Sequence, residues 1–256
     1  MTLRLQNKTA LVTGATSNLG RAIALAYGAE GAHVVVSGRS GERGTAVVEE
    51  IRAAGGRADF VAADLDGTAA ASRALAEQAT HVLGGRIDIL VNNAGIYPGT
   101  TTALTDEATF DRVYAVNVKA PFFLTAAVAP AMAEAGAGAV INLGSWIARL
   151  GIPISSLYSS TKGAMETLTR AWAAEFGPRG VRVNAISPGV VRTPGPEETE
   201  PHPGDVMMLG TPAGTVGSPS AIAQAAVYLG SDEASFVHGA VLDVDGGRTT
   251  VAVIAA

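Results

Sequence analysis

Short runs of β-branched and aliphatic residues alternate along this chain with longer segments in which alanine and leucine recur at helical spacing. Thr9–Thr13, His33–Ser37, Asp59–Ala62, Ile87–Asn92, Ala139–Leu143, Val181–Ile186 and Val241–Val244 read as strands, and helices are expected to begin near Leu19, Glu42, Thr68, Asp106, Leu157 and Ser220. Strands such as Val34-Val35-Val36 are apolar without alternation, as a strand covered on both faces must be. Seven strands interleaved with helices predict an α/β fold built on one mostly parallel, doubly wound sheet with helices on both faces. No shift in composition marks a boundary, so residues 1–256 are expected to form a single domain. The regular pattern breaks over residues 190–217, where Pro194, Pro196, Pro201, Pro203 and Pro212 prevent any long helix or strand. A loop of that length following a strand's carboxyl end predicts a substrate lid beside a ligand crevice.

Composition narrows the chemistry. With 48% apolar residues the chain can build a large core, and its many alanines and glycines suit close packing of helices on a sheet. A net charge of −5 gives no electrostatic footprint for nucleic acid or an anionic membrane surface. No cysteine is present, which excludes disulfides, thiolate catalysis and zinc–thiolate sites. His33, His81, His202 and His238 stand far apart, none spaced with acidic partners as metal ligands, so no metal is expected. The first ten residues lack the apolar core of a signal peptide and no run reaches membrane-spanning length, so a soluble cytoplasmic protein is expected.

Two stretches carry candidate chemistry. Tyr158 and Lys162, four residues apart at the start of an alanine-rich helical segment, fall on one face one turn apart, so a phenol and an ammonium can share a small site. An ammonium near a phenol favours the phenolate and would bring proton exchange closer to neutral pH. The first strand runs into Thr13-Gly14-Ala15-Thr16-Ser17-Asn18-Leu19-Gly20 and then directly into a helix. Such a turn exposes backbone N–H groups and the positive end of a helix dipole, where a pyrophosphate binds.

These stretches, in this order, resemble those of the classical short-chain dehydrogenase/reductase family, including its 3-oxoacyl-ACP reductase and carbonyl reductase members. The family's cofactor turn is Thr-Gly-x-x-x-Gly-x-Gly; its middle glycine is Asn18 here, a residue that tolerates left-handed backbone better than most. Asn92-Asn93-Ala94-Gly95, Asp64 after the third strand and the terminal Val244-Asp245-Gly246-Gly247 also fit. The resemblance covers nearly the whole chain and implies a Rossmann fold of strand order 3-2-1-4-5-6-7. It further implies that Gly14, Ser17, Asn18, Leu19 and Gly20 hold the cofactor phosphates. Asp64 and Leu65 would approach the adenine, and Asn92, Ala94 and Gly95 would support the sheet and line the adenosine side.

The second strand ends in Ser37-Gly38-Arg39-Ser40, with no carboxylate where one would bind the ribose hydroxyls and repel a phosphate. Arg39, with Ser40 beside it, offers a planar fork that matches a 2′-phosphate and can stack on adenine, so NADP(H) is expected over NAD(H). By resemblance Asn117, Ser145, Tyr158 and Lys162 form the catalytic group. Tyr158 exchanges the proton with the substrate oxygen, Ser145 bonds that oxygen, Lys162 tunes Tyr158 and bonds the nicotinamide ribose, and Asn117 holds a water leading to solvent. Pro188, Gly189, Val190 and Thr193 would cover the nicotinamide.

Substrate walls are expected from Tyr97, Ser145, Trp146, Leu150, Gly151, Tyr158 and Gly189, and from lid residues His202, Met207 and Met208. Their mostly apolar character suggests a ketone or secondary alcohol with an aromatic or alkyl body. In this family the outer surface of the helix continuing through Ala164, Met165, Leu168, Ala171 and Trp172 makes a dimer. The carboxyl-terminal segment Val251–Ala256 often completes a tetramer, so a homo-oligomer is expected. Rival readings are an NAD-dependent polyol or sugar dehydrogenase, a dehalogenating lyase of the same fold, a non-catalytic dinucleotide sensor, and a 3-oxoacyl-ACP reductase. Gly14, Gly20 and Lys162 speak against the lyase and the intact catalytic group against the sensor. The ACP reductase would need a basic docking patch, for which Arg149, Arg179 and Arg192 are available.

Overall fold

A computed structural model describes residues 3–153, 155–192 and 204–252. Strands β1 (Thr9–Thr13), β2 (His33–Gly38), β3 (Arg57–Ala62), β4 (Ile89–Asn92), β5 (Gly138–Leu143), β6 (Val181–Pro188) and β7 (Val241–Val244) form one sheet in the order β3-β2-β1-β4-β5-β6-β7. Every neighbouring pair runs parallel. Helices α1 (Asn18–Ala29), α2 (Gly41–Ala53) and α3 (Ala69–Val82) belong to the first half of this winding. Helices α4 (Glu107–Tyr114), α5 (Ala120–Glu134), α6 (Ser156–Phe176) and α7 (Pro219–Gly230) belong to the second.

Helix starts follow local capping chemistry. Ser40, Thr68, Asp106 and Ser218 each accept a backbone N–H three residues on, ahead of α2, α3, α4 and α7. One core packs Ile23, Tyr27, Val47, Ile51, Ile222 and Val227 of α1, α2 and α7 on one face of the sheet. The other packs Leu75, Leu124, Met132, Met165 and Trp172 of α3, α5 and α6 on the opposite face. Met165 and Trp172 therefore serve the chain's own core. The winding reverses between β1 and β4, which opens a crevice at the carboxyl ends of the strands.

The helix expected near Asp106 is in fact two, α4 and α5, joined by a wide π turn over Ala115–Lys119. Pro121 explains the interruption: it has no N–H to give to the carbonyl four residues back, that of Asn117, so a regular α ladder cannot run through this point. Glu107–Glu134 is long and apolar enough to cross a membrane by length and composition, but Leu124, Val128 and Met132 are buried in the core. Strand β4 starts at Ile89, two residues later than its apolar run, and just before it the Asp88 carboxylate accepts from the backbone N–H of Thr9 at 2.8 Å.

The loop after β6 is closed at its neck by a parallel bridge between Val191 and Gly217, with Arg192 N–H donating to the Gly217 carbonyl at 2.8 Å. Beyond it, Asp205–Met208 forms a short 3₁₀ turn. The expected lid residues Thr193 and His202, and the tail beyond 252, lie outside the described residues.

Candidate active site

The cradle at the end of β1 is built by glycines and by a cross-chain lock. Gly14 has φ +62°, and a Cβ there would lie 2.9 Å from the Ala94 Cα. A Cβ on Gly20 would come within 2.3 Å of the Gly14 carbonyl oxygen and 2.4 Å of Asn93 Nδ2, so only glycine lets α1 begin so close to the turn. Asn18 has φ +48°, so the asparagine adopts the left-handed backbone that the missing glycine would have supplied. The Thr13 hydroxyl donates to the Val91 carbonyl at 3.1 Å and accepts from the N–H groups of Asn93 and Ala94 at 3.0 and 3.1 Å. The Asn93 amide returns to the Thr13 and Gly14 carbonyls at 2.8 and 3.1 Å. Ser17 makes no side-chain cap on α1, and no acidic residue occupies the first turn, so the positive end of the helix faces the crevice without a protein anion. Gly20→Ala is expected to destabilise the chain by roughly 3 kcal/mol or more, measurable by denaturant unfolding, since the clash is with backbone that cannot turn aside.

The crevice measures ≈ 1130 Å³ and runs from this cradle past Arg39, Asp64 and Leu65 at one end to Ser145, Trp146, Tyr158 and Lys162 at the other. Ser17, Asn18, Leu19, Ala94, Gly95, Tyr97, Pro188, Gly189, Val190 and Met207 also line it. Several expected residues do not. Ser40 caps α2, and the Asn92 side chain is turned inward, donating to Thr125 Oγ1 and Asn142 Oδ1 at 3.1 and 2.9 Å. Met208 is buried behind the wall, and Leu150 and Gly151 stand outside the lining. Conversely, Arg43, Asp111, Arg112, Ile96 and Ile152 line the crevice although no motif pointed to them. Arg43 could have been found from its place four residues past Arg39, in the first turn of α2.

At the far end, Tyr158 stands in the first turn of α6 and Lys162 one turn on. The Lys162 ammonium donates to the Leu143 carbonyl at 2.8 Å and lies 5.4 Å from the centre of the Tyr158 ring. Burial pushes Lys162 down to about 8. Burial, with a smaller contribution from Tyr97, pushes the Tyr158 phenol up to about 12. The expectation that Lys162 lowers the phenol is thus corrected for the chain by itself. The ammonium is spent on a backbone carbonyl, and desolvation outweighs its field at the phenol. The Tyr97 ring packs on Tyr158 with centres 4.9 Å apart.

Ser145, at the start of the turn after β5, is buried, and among the described residues its hydroxyl's one hydrogen bond is acceptance from Ile147 N–H at 3.5 Å. Asn117, in the π turn, does not line the crevice. Its carbonyl oxygen accepts from Ile96 N–H at 2.8 Å and its amide donates to the Ile96 carbonyl and Thr161 Oγ1 at 3.0 and 3.2 Å. Gly95 fills the gap between Asn117 and Lys162: a Cβ there would lie 3.4 Å from Asn117 Oδ1 and 3.8 Å from Lys162 Nζ. Below the Ser145 turn, Arg149 grips Asp243 of β7 with two bonds of 2.7 and 2.6 Å and faces Glu166 of α6 at 3.7 Å. Burial raises the Glu166 carboxyl despite that arginine. Among the described residues no group of three or more His, Asp or Glu side chains is arranged to hold a metal ion.

A crevice at the switch point of a parallel sheet, ending in a glycine cradle on one side and a buried serine and lysine with a half-buried tyrosine on the other, defines a nicotinamide-dependent oxidoreductase that works on alcohols and ketones. Comparison with known proteins gives the family. A family model described as enoyl-(acyl carrier protein) reductase matches residues 14–249. The galactitol 2-dehydrogenase (L-tagatose-forming) of Cereibacter sphaeroides is 40% identical over 250 residues, 96% of this chain and 96% of that one. The cyclopentanol dehydrogenase of Comamonas sp. is 36% identical over 252 residues, 96% of this chain and 98% of that one. A 3-oxoacyl (acyl-carrier-protein) reductase of Agrobacterium tumefaciens C58, solved with NADP bound, superposes with a TM-score of 0.89 at 30% identity, covering 96% of each chain. The chain belongs to the short-chain dehydrogenase/reductase family and is an NAD(P)-dependent oxidoreductase acting on the alcohol/ketone couple.

Proposed function

We propose that this chain is an NADP(H)-dependent carbonyl reductase or secondary alcohol dehydrogenase for substrates with an apolar body, with Tyr158 as its general acid and base. The observation that carries the reading is the joint lining of one crevice by the glycine cradle, Ser145, Tyr158 and Lys162. Bound along the cradle, the dinucleotide supplies the hydride. Ser145 and Tyr158 meet the negative charge that develops on the substrate oxygen, the serine by orienting it and the phenol by giving it a proton. A phenol held near 12 is fully protonated at neutral pH, which suits it to donate in the reductive direction. Lys162, fixed by Leu143, faces the nicotinamide ribose, and Asn117 holds the water path to Lys162 across the gap at Gly95.

NADP(H) is favoured by two cations, Arg39 and Arg43, at the adenosine end of the crevice, where the end of β2 carries no carboxylate. Arg39→Asp should raise the Michaelis constant for NADPH at least about tenfold while leaving that for NADH within about twofold, since a charge-assisted bond is worth ~1.5 kcal/mol or more. Equal effects on both cofactors would remove the argument for NADP(H).

Tyr97, Trp146, Ile152 and Met207 around Tyr158 support an apolar ketone over a polyol, whose hydroxyls would need polar walls. Steady-state rates across a panel of aliphatic, aromatic and polyol substrates test this, and activity on polyols with NAD alone would overturn it. Of the three arginines that an ACP docking patch would use, Arg192 lines the crevice, whereas Arg149 is committed to Asp243 and Arg179 sits over Phe176 just before the amino end of β6, so a three-arginine patch at the mouth is not favoured. A soluble, cytoplasmic homo-oligomer, dimer or tetramer, is the accompanying proposal. The exposed Phe110 and Phe122 on α4 and α5 support it as a face for a second copy.

A further inference from the structure

Asp245 is buried and accepts from the N–H groups of Gly247 and Thr249 and from the Thr249 hydroxyl at 2.9, 2.9 and 2.6 Å, which fixes a tight turn directly after β7. The turn is wedged between two parts of the site. A Cβ on Gly189 would come within 2.5 Å of Asp245, and one on Gly246 within 2.7 Å of Ala213 on the lid side. Arg248 projects from this turn. Its guanidinium lies 4.2 Å from the centre of the Trp146 ring, and its Nη1 donates to the Met207 carbonyl. Trp146 and Met207 both line the crevice, whereas Arg248 itself does not. The Arg248 Nε is buried with no acceptor among the described residues, where this side chain is held by the ring face and by one carbonyl.

Building on the reading of this crevice as a substrate site, we propose that Arg248 is a positioning residue that latches the lid segment to the wall beside Ser145. Cation–π attraction on one side and a hydrogen bond to the lid backbone on the other make one guanidinium the joint between Trp146 and Met207. Among the described residues no hydrogen bond or ring contact joins Trp146 to Met207 directly. Trp146 thus keeps a fixed face to the substrate, one residue from the serine that holds the substrate oxygen. Without Arg248, the indole gains rotamer freedom and the Met207 segment loses its anchor. Substrate affinity suffers, and the cofactor cradle at the other end of the crevice does not.

The chain has two tryptophans, Trp146 and the core residue Trp172, so Trp172→Phe leaves Trp146 as sole reporter. In that background, with neither cofactor nor substrate present, Arg248→Met should increase acrylamide quenching of Trp146 at least about twofold, and Arg248→Lys should fall between the two because an ammonium also sits over indole. In the otherwise native chain, Arg248→Met should raise the ketone KM about five- to thirtyfold, the factor set by losing one or two kilocalories of ordering. kcat at saturation and the KM for NADPH should stay within about threefold of the parent. Arg248→Lys should recover part of the ketone KM. Quenching unchanged in both variants overturns the latch, as does a fall in kcat with no change in ketone KM. If quenching responds as stated while even the parent reduces no ketone, the latch stands and the reductase reading falls.

Discussion

Tyr158→Phe is expected to lower turnover by roughly two to four orders of magnitude, the usual contribution of a positioned acid or base, while leaving the Kd for NADPH within about threefold. The substitution removes one oxygen and keeps the ring that packs against Tyr97. Nothing in the fold depends on the lost hydroxyl, since it makes no hydrogen bond within the protein among the described residues, and its burial opposes only the charged form. Stability should therefore hold, and any large fall in activity reports on chemistry. Stopped-flow reduction of a responsive ketone, with NADPH binding followed by nicotinamide fluorescence, separates the two quantities. Full turnover in the variant would remove Tyr158 from the reaction.

Lys162→Met should also lose turnover, but in a chain that is more stable than its parent. Lys162 is buried with its ammonium on a single carbonyl, and its folded pKa is depressed to about 8 from an ordinary value near 10.5. The sign follows directly. Between those values the unfolded chain binds a proton that the folded chain does not, so stability rises with pH across that window. Below about pH 8 both states are protonated and the folded chain carries the full desolvation penalty, on the order of 3 kcal/mol. Methionine removes the penalty and fills the same volume, but leaves the Leu143 carbonyl short of one donor, which returns about 1 kcal/mol. A net gain of about 1–2 kcal/mol at pH 7 corresponds to a Tm higher by roughly 2–8 °C for a domain of this size. The difference should shrink as pH approaches 10. Turnover should fall by about two orders of magnitude or more. A variant less stable than its parent at pH 7 would show that the buried ammonium is not a liability. Stability given up at a working residue is the expected signature of a site held ready for chemistry.

Much of this was legible from local pattern. The strands follow from apolar runs that do not alternate, and the helices from the onset of alanine- and leucine-rich periodicity, because both signals act over a few residues. Asn18 was readable for the same reason, its left-handed backbone being a property of one residue in one turn. What the sequence concealed depends on contacts between distant segments. The lock between Thr13 and Asn93 spans 80 residues, and no periodicity couples those positions. Arg248 lies far from Trp146 in the chain, and only the fold brings the cation over the ring. Spacing alone does not give the balance at Tyr158, because it sets proximity and says nothing of burial. The ammonium is near, yet desolvation sets the direction for both groups. Asn92 was assigned to the cofactor by its motif, but its place in β4 beside β5 turns its amide toward Asn142. The π turn at Asn117 was visible in principle, since Pro121 four residues on has no N–H to give to the Asn117 carbonyl.

On the reading proposed for this crevice, it passes a hydride between a nicotinamide and a ketone. Incubating the purified chain with a responsive ketone and NADPH carrying deuterium at both positions of the hydride-donating carbon tests this most directly, with the alcohol product read by mass spectrometry. The account predicts one deuterium at the carbinol carbon, formed by the native chain and lost in Tyr158→Phe. Alcohol formed without deuterium, or no alcohol from any ketone with either cofactor, would contradict it.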